Sequence, residues 1–238
     1  MAATTTEARP PARKTILIVD DHPMLRRGLA ALIESESDLT VCGEAATGAA
    51  ALEAIRTYSP DLVIVDLALD GGDGLDLIKA MKARHPEIPA LVLSMYDEAV
   101  YAERALRAGA RGYVSKQQLA STVLAAIHRL LGGEAYLSDN LEAQLAARYL
   151  SGRTLSTDSP EYSLSDRELQ VFRLIGQGRS RRQIADALHL SIKTIESHCQ
   201  HIKQKLRLES AGELAHRATQ WVETGQTESS QLLARPIG

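Results

Sequence analysis

The sequence predicts an α/β fold, a doubly wound five-stranded parallel sheet, followed by a second, all-α domain of four helices. Three observations carry this. Short apolar runs alternate with helix-spaced apolar patterns over residues 14–131, the signature of successive βαβ units. The run at residues 61–67, Asp-Leu-Val-Ile-Val-Asp-Leu, is β-branched in its middle and apolar on both faces, as a strand covered by helices on either side must be. From residue 164 onward strand runs cease and helix-start signals repeat: Ser165 with Glu168, Ser180 with Gln183 and Ser210 with Glu213 stand at capping-box spacing, and Ser191 is a fourth cap.

The elements follow in order. Residues 15–19 form the first strand, 40–45 the second, 61–67 the central third, 90–94 the fourth and 111–116 the fifth. Pro23 opens a helix on which Leu25, Leu29, Leu32 and Ile33 make one apolar face. Thr47 caps a second helix, with Leu52 and Ile55 inside, which ends before Pro60. After the turn Asp70-Gly71-Gly72-Asp73-Gly74, a third helix buries Leu75, Leu77, Ile78 and Met81 and stops around Pro86 and Pro89. A fourth runs from Asp97 to Gly109, and a fifth from about Leu119 to Leu131. The most economical strand order is 2-1-3-4-5, which puts a switch point between the first and third strands.

Chemistry in open α/β sheets collects beyond the carboxyl ends of the strands at such a switch point. Asp20, Asp21 and Asp66 fall there, and Ser94 and Lys116 end the fourth and fifth strands. Like charges that close are unstable unless a cation lies among them or one is protonated. Three hard oxygen donors suit Mg²⁺, which takes a few carboxylates and keeps several waters. Taken singly, an Asp after a strand caps the next helix and a terminal Lys is solvated. Their convergence is what points to a site.

These residues carry a resemblance. Asp20-Asp21-His22-Pro23, Asp66, Ser94, and Gly112-Tyr113 through Lys116 match in order and spacing the receiver domain of a two-component response regulator, a flavodoxin-like fold, over the first 131 residues. The resemblance implies that Asp66 is the phospho-acceptor. It implies that Asp20 and Asp21 hold Mg²⁺ with Asp66, the backbone carbonyl of Ala68 being a further ligand. Lys116 would supply a fixed charge and Ser94 a hydroxyl donor, and Tyr113 is similar to the aromatic switch whose ring turns inward as Ser94 moves. The chemistry is sound from below: a carboxylate attacks phosphorus poorly until the incoming phosphoryl oxygens are neutralised. Asp70 and Gln117 depart from the pattern, each standing where receivers often carry Pro. Haloacid-dehalogenase-type hydrolases also use an Asp after a strand with Mg²⁺, but they need a second acid two residues on, where this chain has Ala68. The chain is therefore expected not to be an enzyme.

The helix after Ser191 is read by geometry. Ile195, Cys199, Ile202 and Leu206 lie on one stripe facing a core. The opposite face holds Lys193, Ser197, Gln200 and Gln204, with Glu196 and His201 beside it, short-chained and polar as a major groove requires. Arg182, Lys203 and Lys205 flank it where phosphates are expected. Residues 164–222 resemble a LuxR-type helix-turn-helix through Leu164-Ser-Asp-Arg-Glu168, Gly178-Arg-Ser180, Gln183-Ile-Ala185, Leu188-His-Leu-Ser191 and Thr194-Ile195. That resemblance implies DNA contacts from Thr194, Glu196, Ser197 and Gln200. His189 occupies a turn where Gly is usual, and Glu196 replaces a usual Lys. An autoinducer-binding LuxR regulator would share this domain but would need neither the acidic triad nor the terminal Lys.

Taken together the two resemblances are those of the NarL/FixJ response regulators. They imply a transcription factor whose partners are a sensor histidine kinase, double-stranded promoter DNA, a second copy of the chain when phosphorylated, and RNA polymerase; the alternative is a regulator of the same build acting independently of phosphorylation. Charge agrees with two domains of different partners: residues 1–150 carry 15 Lys and Arg against 20 Asp and Glu, whereas 163–210 carry 9 against 5. Two distant cysteines, Cys42 and Cys199, argue for a reducing cytoplasm. No apolar run is long enough for a membrane span. The expected divisions are a tail at 1–13 rather than a signal peptide, a receiver at 14–131, a linker with a short helix (139–150) at 132–162, the helix-turn-helix domain at 163–225, and a polar tail at 226–238.

Overall fold

The computed structural model describes residues 13–69, 72–96, 98–118, 120–139, 141–143 and 160–232. Strands β1 (Lys14–Val19), β2 (Leu39–Ala45), β3 (Leu62–Val65), β6 (Ala90–Ser94) and β7 (Gly112–Ser115) form one parallel sheet in the order β2-β1-β3-β6-β7, the order read from the sequence. Between them lie α1 (Pro23–Glu34), α2 (Gly48–Tyr58), α3 (Gly74–Arg84), α4 (Glu98–Ala108) and α5 (Ala120–Leu131). A two-residue ladder absent from the sequence reading, β4 (Ala68–Leu69) against β5 (Gly72–Asp73), closes the turn after β3. Its tip, Asp70 and Gly71, lies outside the described residues.

Alternation along the strands builds two cores. Leu17, Val19, Val63, Val65 and Val92 face α2, α3 and α4, while Ile16, Ile18, Leu62, Ile64 and Leu91 face α1 and α5. Every residue from Ile16 to Val19 and from Leu62 to Val65 is buried, as strands covered on both sides require. Residues 132–139, expected as part of the linker, stay with this domain. Tyr136 N donates to Arg111 O and accepts, through its carbonyl, from Tyr113 N, extending the sheet at its β7 edge. Most of the helix expected at 139–150 lies outside the described residues.

A 3₁₀ turn (Pro160–Ser163) leads into α6 (Asp166–Gly176), α7 (Arg181–Ala187), α8 (Ile192–Leu206) and α9 (Ala211–Leu232). Capping boxes are complete at Ser165 with Glu168 and at Ser180 with Gln183. His189 holds the α7–α8 turn at φ 52°, a region His tolerates better than most side chains. The expected polar tail after Gln226 is instead the continuation of α9 to Leu232. Its physical reason is local: Gln226, Glu228 and Gln231 are good helix formers and no proline intervenes before Pro236. Where α6 meets α9, a Cβ on Gly176 would lie 2.3 Å from Ala218 O, so only glycine permits that approach.

Candidate functional site

The register of the sheet assembles the first site. Val19 pairs with Val65, so the residues that follow, Asp20 and Asp66, emerge side by side; Asp66 N donates to Val19 O at 2.8 Å. Lys116 N donates to Ser94 O at 2.9 Å, which brings the end of β7 back over β6. Lys116 Nζ then lies 2.6 Å from Asp20 Oδ2 and 2.6 Å from Asp66 Oδ2. Asp20, Asp66 and Ser94 are buried, and the Lys116 side chain is only 5% exposed. One buried cation thus bridges two buried carboxylates, the condition under which such charges are tolerated. Burial pushes the Asp66 carboxyl above the usual range, although Lys116 draws it back down.

Ligand atoms of Asp20, Asp21, His22 and Asp66 all lie within 4.8 Å of one another. His22, not among the expected site residues, reaches Asp21 Oδ1 at 2.6 Å while its backbone amide donates to Asp20 Oδ1. The buried Oδ1 of Asp66 has no hydrogen-bond partner among the described residues. A buried oxygen is rarely left so, and beside the carboxylates of Asp20 and Asp21 it fits a hard divalent cation. Ala68 stands half-buried in β4, two residues beyond Asp66. Tyr113 is already inside: it is 1% exposed and its hydroxyl donates to Tyr96 O at 2.8 Å. The inward ring needs no prior movement of Ser94, because the Tyr96 carbonyl supplies the partner that a buried phenol requires.

The second site is the polar face of α8. Ile195, Cys199 and Ile202 are buried as the stripe predicts, and Leu206 is half-buried. Lys193, Glu196, Ser197, Gln200 and Gln204 are exposed together on the other side, with Arg181 and Arg182 exposed at the start of α7. Thr194 is half-buried and its hydroxyl pairs with Ser191 Oγ at 2.8 Å. Lys203 is half-buried. Lys205 is held by the capping-box carboxylate: Nζ lies 2.6 Å from Glu168 Oε2, which also accepts from Ser165 N.

Comparison with known proteins bears on both sites. A model of the response regulator receiver domain matches residues 16–128, and one of bacterial regulatory proteins of the luxR family matches residues 162–218. The oxygen regulatory protein NreC of Staphylococcus aureus is 35% identical over 207 residues, covering 85% of this chain and 95% of NreC. This chain belongs to the NarL/FixJ response regulators. Among solved structures, the RcsB response regulator of Salmonella typhimurium covers 88% of this chain and 98% of its own at 26% identity and a TM-score of 0.66. RcsB from Salmonella enterica serovar Typhimurium bound to promoter P1flhDC with the phosphomimetic BeF₃⁻ covers 87% and 99% at 26% identity and a TM-score of 0.64. As a response regulator of this build, the chain is a DNA-binding regulator of transcription.

In this response regulator the two domains are docked through residues that sequence reasoning missed. Asp166, at the start of α6, lies 2.8 Å from Lys79 Nζ on α3 and 3.0 Å from Arg104 Nη1 on α4. Against the upward push of burial, these two cations hold its carboxyl below the usual range. Gln170 Nε2 donates to Gly72 O in β5. Arg173 lays its guanidinium over the Tyr96 ring, 4.2 Å from the centroid, and its charge also reaches Asp73. Each partner is separated from the other by some 60 to 100 residues, at no helical or strand spacing, so no local signal in the chain marks them. The α8 polar face remains exposed in this docked arrangement.

Proposed function

We propose that this response regulator accepts a phosphoryl group on Asp66 from a sensor histidine kinase, and that this modulates pairing of two copies on promoter DNA. The observation that carries the reading is Asp66 itself: buried beside Asp20 and Lys116, with Oδ1 left without a hydrogen-bond partner. In the transfer, an Asp66 oxygen forms a bond to phosphorus as the phosphohistidine P–N bond breaks and the imidazole leaves with a proton. Lys116 neutralises charge on the incoming phosphoryl oxygens and the Ser94 hydroxyl donates to one of them. Asp20, Asp21, Asp66 and the Ala68 carbonyl would hold Mg²⁺, which when bound neutralises further phosphoryl charge. Lys116, released from its two carboxylates, keeps its position through the packed end of β7.

The DNA reading rests on α8. Glu196, Ser197 and Gln200 meet bases, Lys193, Thr194 and Gln204 border them, and Arg182, Lys203 and Lys205 serve phosphates. Lys205 reaches a phosphate by exchanging it for Glu168. Two RcsB dimers have been captured on parallel DNAs, and paired half-sites are the usual target of a helix-turn-helix; the same pairing is proposed for this chain, acting in the cytoplasm. The test is intact-mass spectrometry with Mg²⁺ and acetyl phosphate on wild type and Asp66→Asn, followed by sedimentation of both. One added phosphoryl group and a heavier species in wild type alone are expected. Equal phosphorylation of Asp66→Asn would overturn the assignment.

A further inference from the structure

The residue between the phospho-acceptor site and the docked DNA-binding domain is Tyr96. Its backbone amide donates to Ser94 Oγ at 3.3 Å. Its carbonyl accepts the Tyr113 hydroxyl. Its ring packs on Tyr101, with centroids 4.7 Å apart, and carries the Arg173 guanidinium 4.2 Å from its centroid. Tyr96 thus touches both switch side chains and the helix-turn-helix domain. We propose that Tyr96 is a positioning residue that relays the state of Asp66 to the domain interface, with Arg173 as the latch it holds. The proposal rests on the phosphorylation reading above and names how that site is read.

The relay works through the position of one hydroxyl. Ser94 Oγ accepts from Tyr96 N and can go on accepting there while it donates its proton to a phosphoryl oxygen, so drawing Oγ toward Asp66 pulls the Tyr96 amide with it. Residues 94–96 then shift, and the Tyr96 ring moves with its backbone. Arg173 then loses the face it rests on. A cation over an aromatic face is attracted only within about 6 Å of the ring centre, so a modest shift releases it. What remains is the Asp166 clamp to Lys79 and Arg104, partly exposed ion pairs of a kind that contributes little, and one hydrogen bond from the buried Gln170 to Gly72 O. Since the α8 reading face is exposed while docked, release changes how the DNA-binding domain is oriented and not whether α8 can be reached.

Zero-length carbodiimide cross-linking reads the docked state directly. Lys79 Nζ lies 2.8 Å from Asp166 across the domain boundary and 3.4 Å from Asp76 within α3, so the Lys79–Asp76 product is an internal standard in the full-length protein. Four proteins are compared with and without Mg²⁺ and beryllofluoride: wild type, Tyr96→Phe, Tyr96→Leu and Arg173→Met. The expected Lys79–Asp166 to Lys79–Asp76 ratio is high in wild type and Tyr96→Phe, and falls roughly tenfold with the mimic. Tyr96→Leu and Arg173→Met should start low and not fall further, while still taking phosphate from acetyl phosphate by intact mass. A merely structural role for the ring would lower the ratio in Tyr96→Leu and leave Arg173→Met high and responsive to the mimic like wild type. An unchanged ratio in wild type whose Asp66 is shown to be modified would refute the relay and leave the phosphorylation reading standing. Absence of any modification at Asp66 would remove both.

Discussion

Gly74 is where the acceptor loop and α3 press closest. A Cβ built there would lie 2.2 Å from Asp66 O, far inside the 3.4 Å at which ordinary contact begins. Gly74→Ala must therefore open that gap by about 1 Å, either by moving the end of β3 or by pushing back the start of α3. The second route is resisted, because Asp73 caps α3 through Leu75 N and Gly74 N is itself bonded to Leu67 O. The acceptor carboxylate is thus expected to move with its own backbone. Overpacking of this kind costs about 1–3 kcal/mol of stability. A displacement of roughly 1 Å in a reacting group can lower its rate by about 10²-fold. The assay is a time course of intact mass with acetyl phosphate and Mg²⁺, alongside thermal unfolding. A variant that is phosphorylated at the wild-type rate with an unchanged melting point would show that the close approach does not set the geometry of Asp66.

Three further outcomes are expected. Burial pushes the Asp73 carboxyl up to about 6, against the pull of the Leu75 amide and of Arg173; between its ordinary value and 6 the folded chain holds a proton that the unfolded chain has lost, so stability falls as pH rises through that window. Asp73→Asn keeps a capping oxygen and removes that penalty, so it should stabilise the receiver by about 1–3 kcal/mol at pH 8 and by nothing near pH 3, and denaturant titrations at the two values check it. Lys116→Met strands two buried carboxylates and should cost about 3–5 kcal/mol in metal-free buffer, part of which Mg²⁺ restores; a melting point indifferent to Mg²⁺ in the variant would count against the metal-binding assignment. Gln200→Ala should cost about 1–3 kcal/mol on cognate DNA and far less on scrambled DNA, whereas Arg182→Ala should weaken both and flatten the salt slope by about one unit, as titrations at several salt concentrations would read.

Legibility in the sequence followed the range of the interaction. Strand order and the acidic crevice were readable because a period-two or both-face apolar pattern is local, and because parallel strands deliver their terminal residues to one edge. The α8 stripe of Ile195, Cys199 and Ile202 was readable for the same reason, at a period of 3.6. What escaped was settled by partners distant in the chain. Lys205 is marked by its place on α8 as a phosphate ligand, but no local signal marks its partner in this structure, Glu168, a capping residue 37 positions earlier. Tyr113 is marked by its motif as the aromatic switch, but its hydroxyl's partner, the Tyr96 carbonyl, carries no sequence signal. The contacts of Asp166 and Arg173 with the receiver carry no sequence period at all.

Tyr136, hydrogen-bonded in both directions at the β7 edge, fixes where the connection to the second domain leaves the sheet. Only residues 144–159 separate the last described receiver residue from the 3₁₀ turn ahead of α6, a span of at most about 55 Å when fully extended. On so short a leash each domain meets the other at an effective concentration of order mM. An interface whose intrinsic dissociation constant is about 1 mM, or roughly 4 kcal/mol, is then already half occupied, and a single contact such as Arg173 on Tyr96 is a large fraction of what holds it. Dilution leaves that intramolecular occupancy unchanged, so any dependence of DNA binding on protein concentration belongs to the meeting of two chains and not to the opening of one.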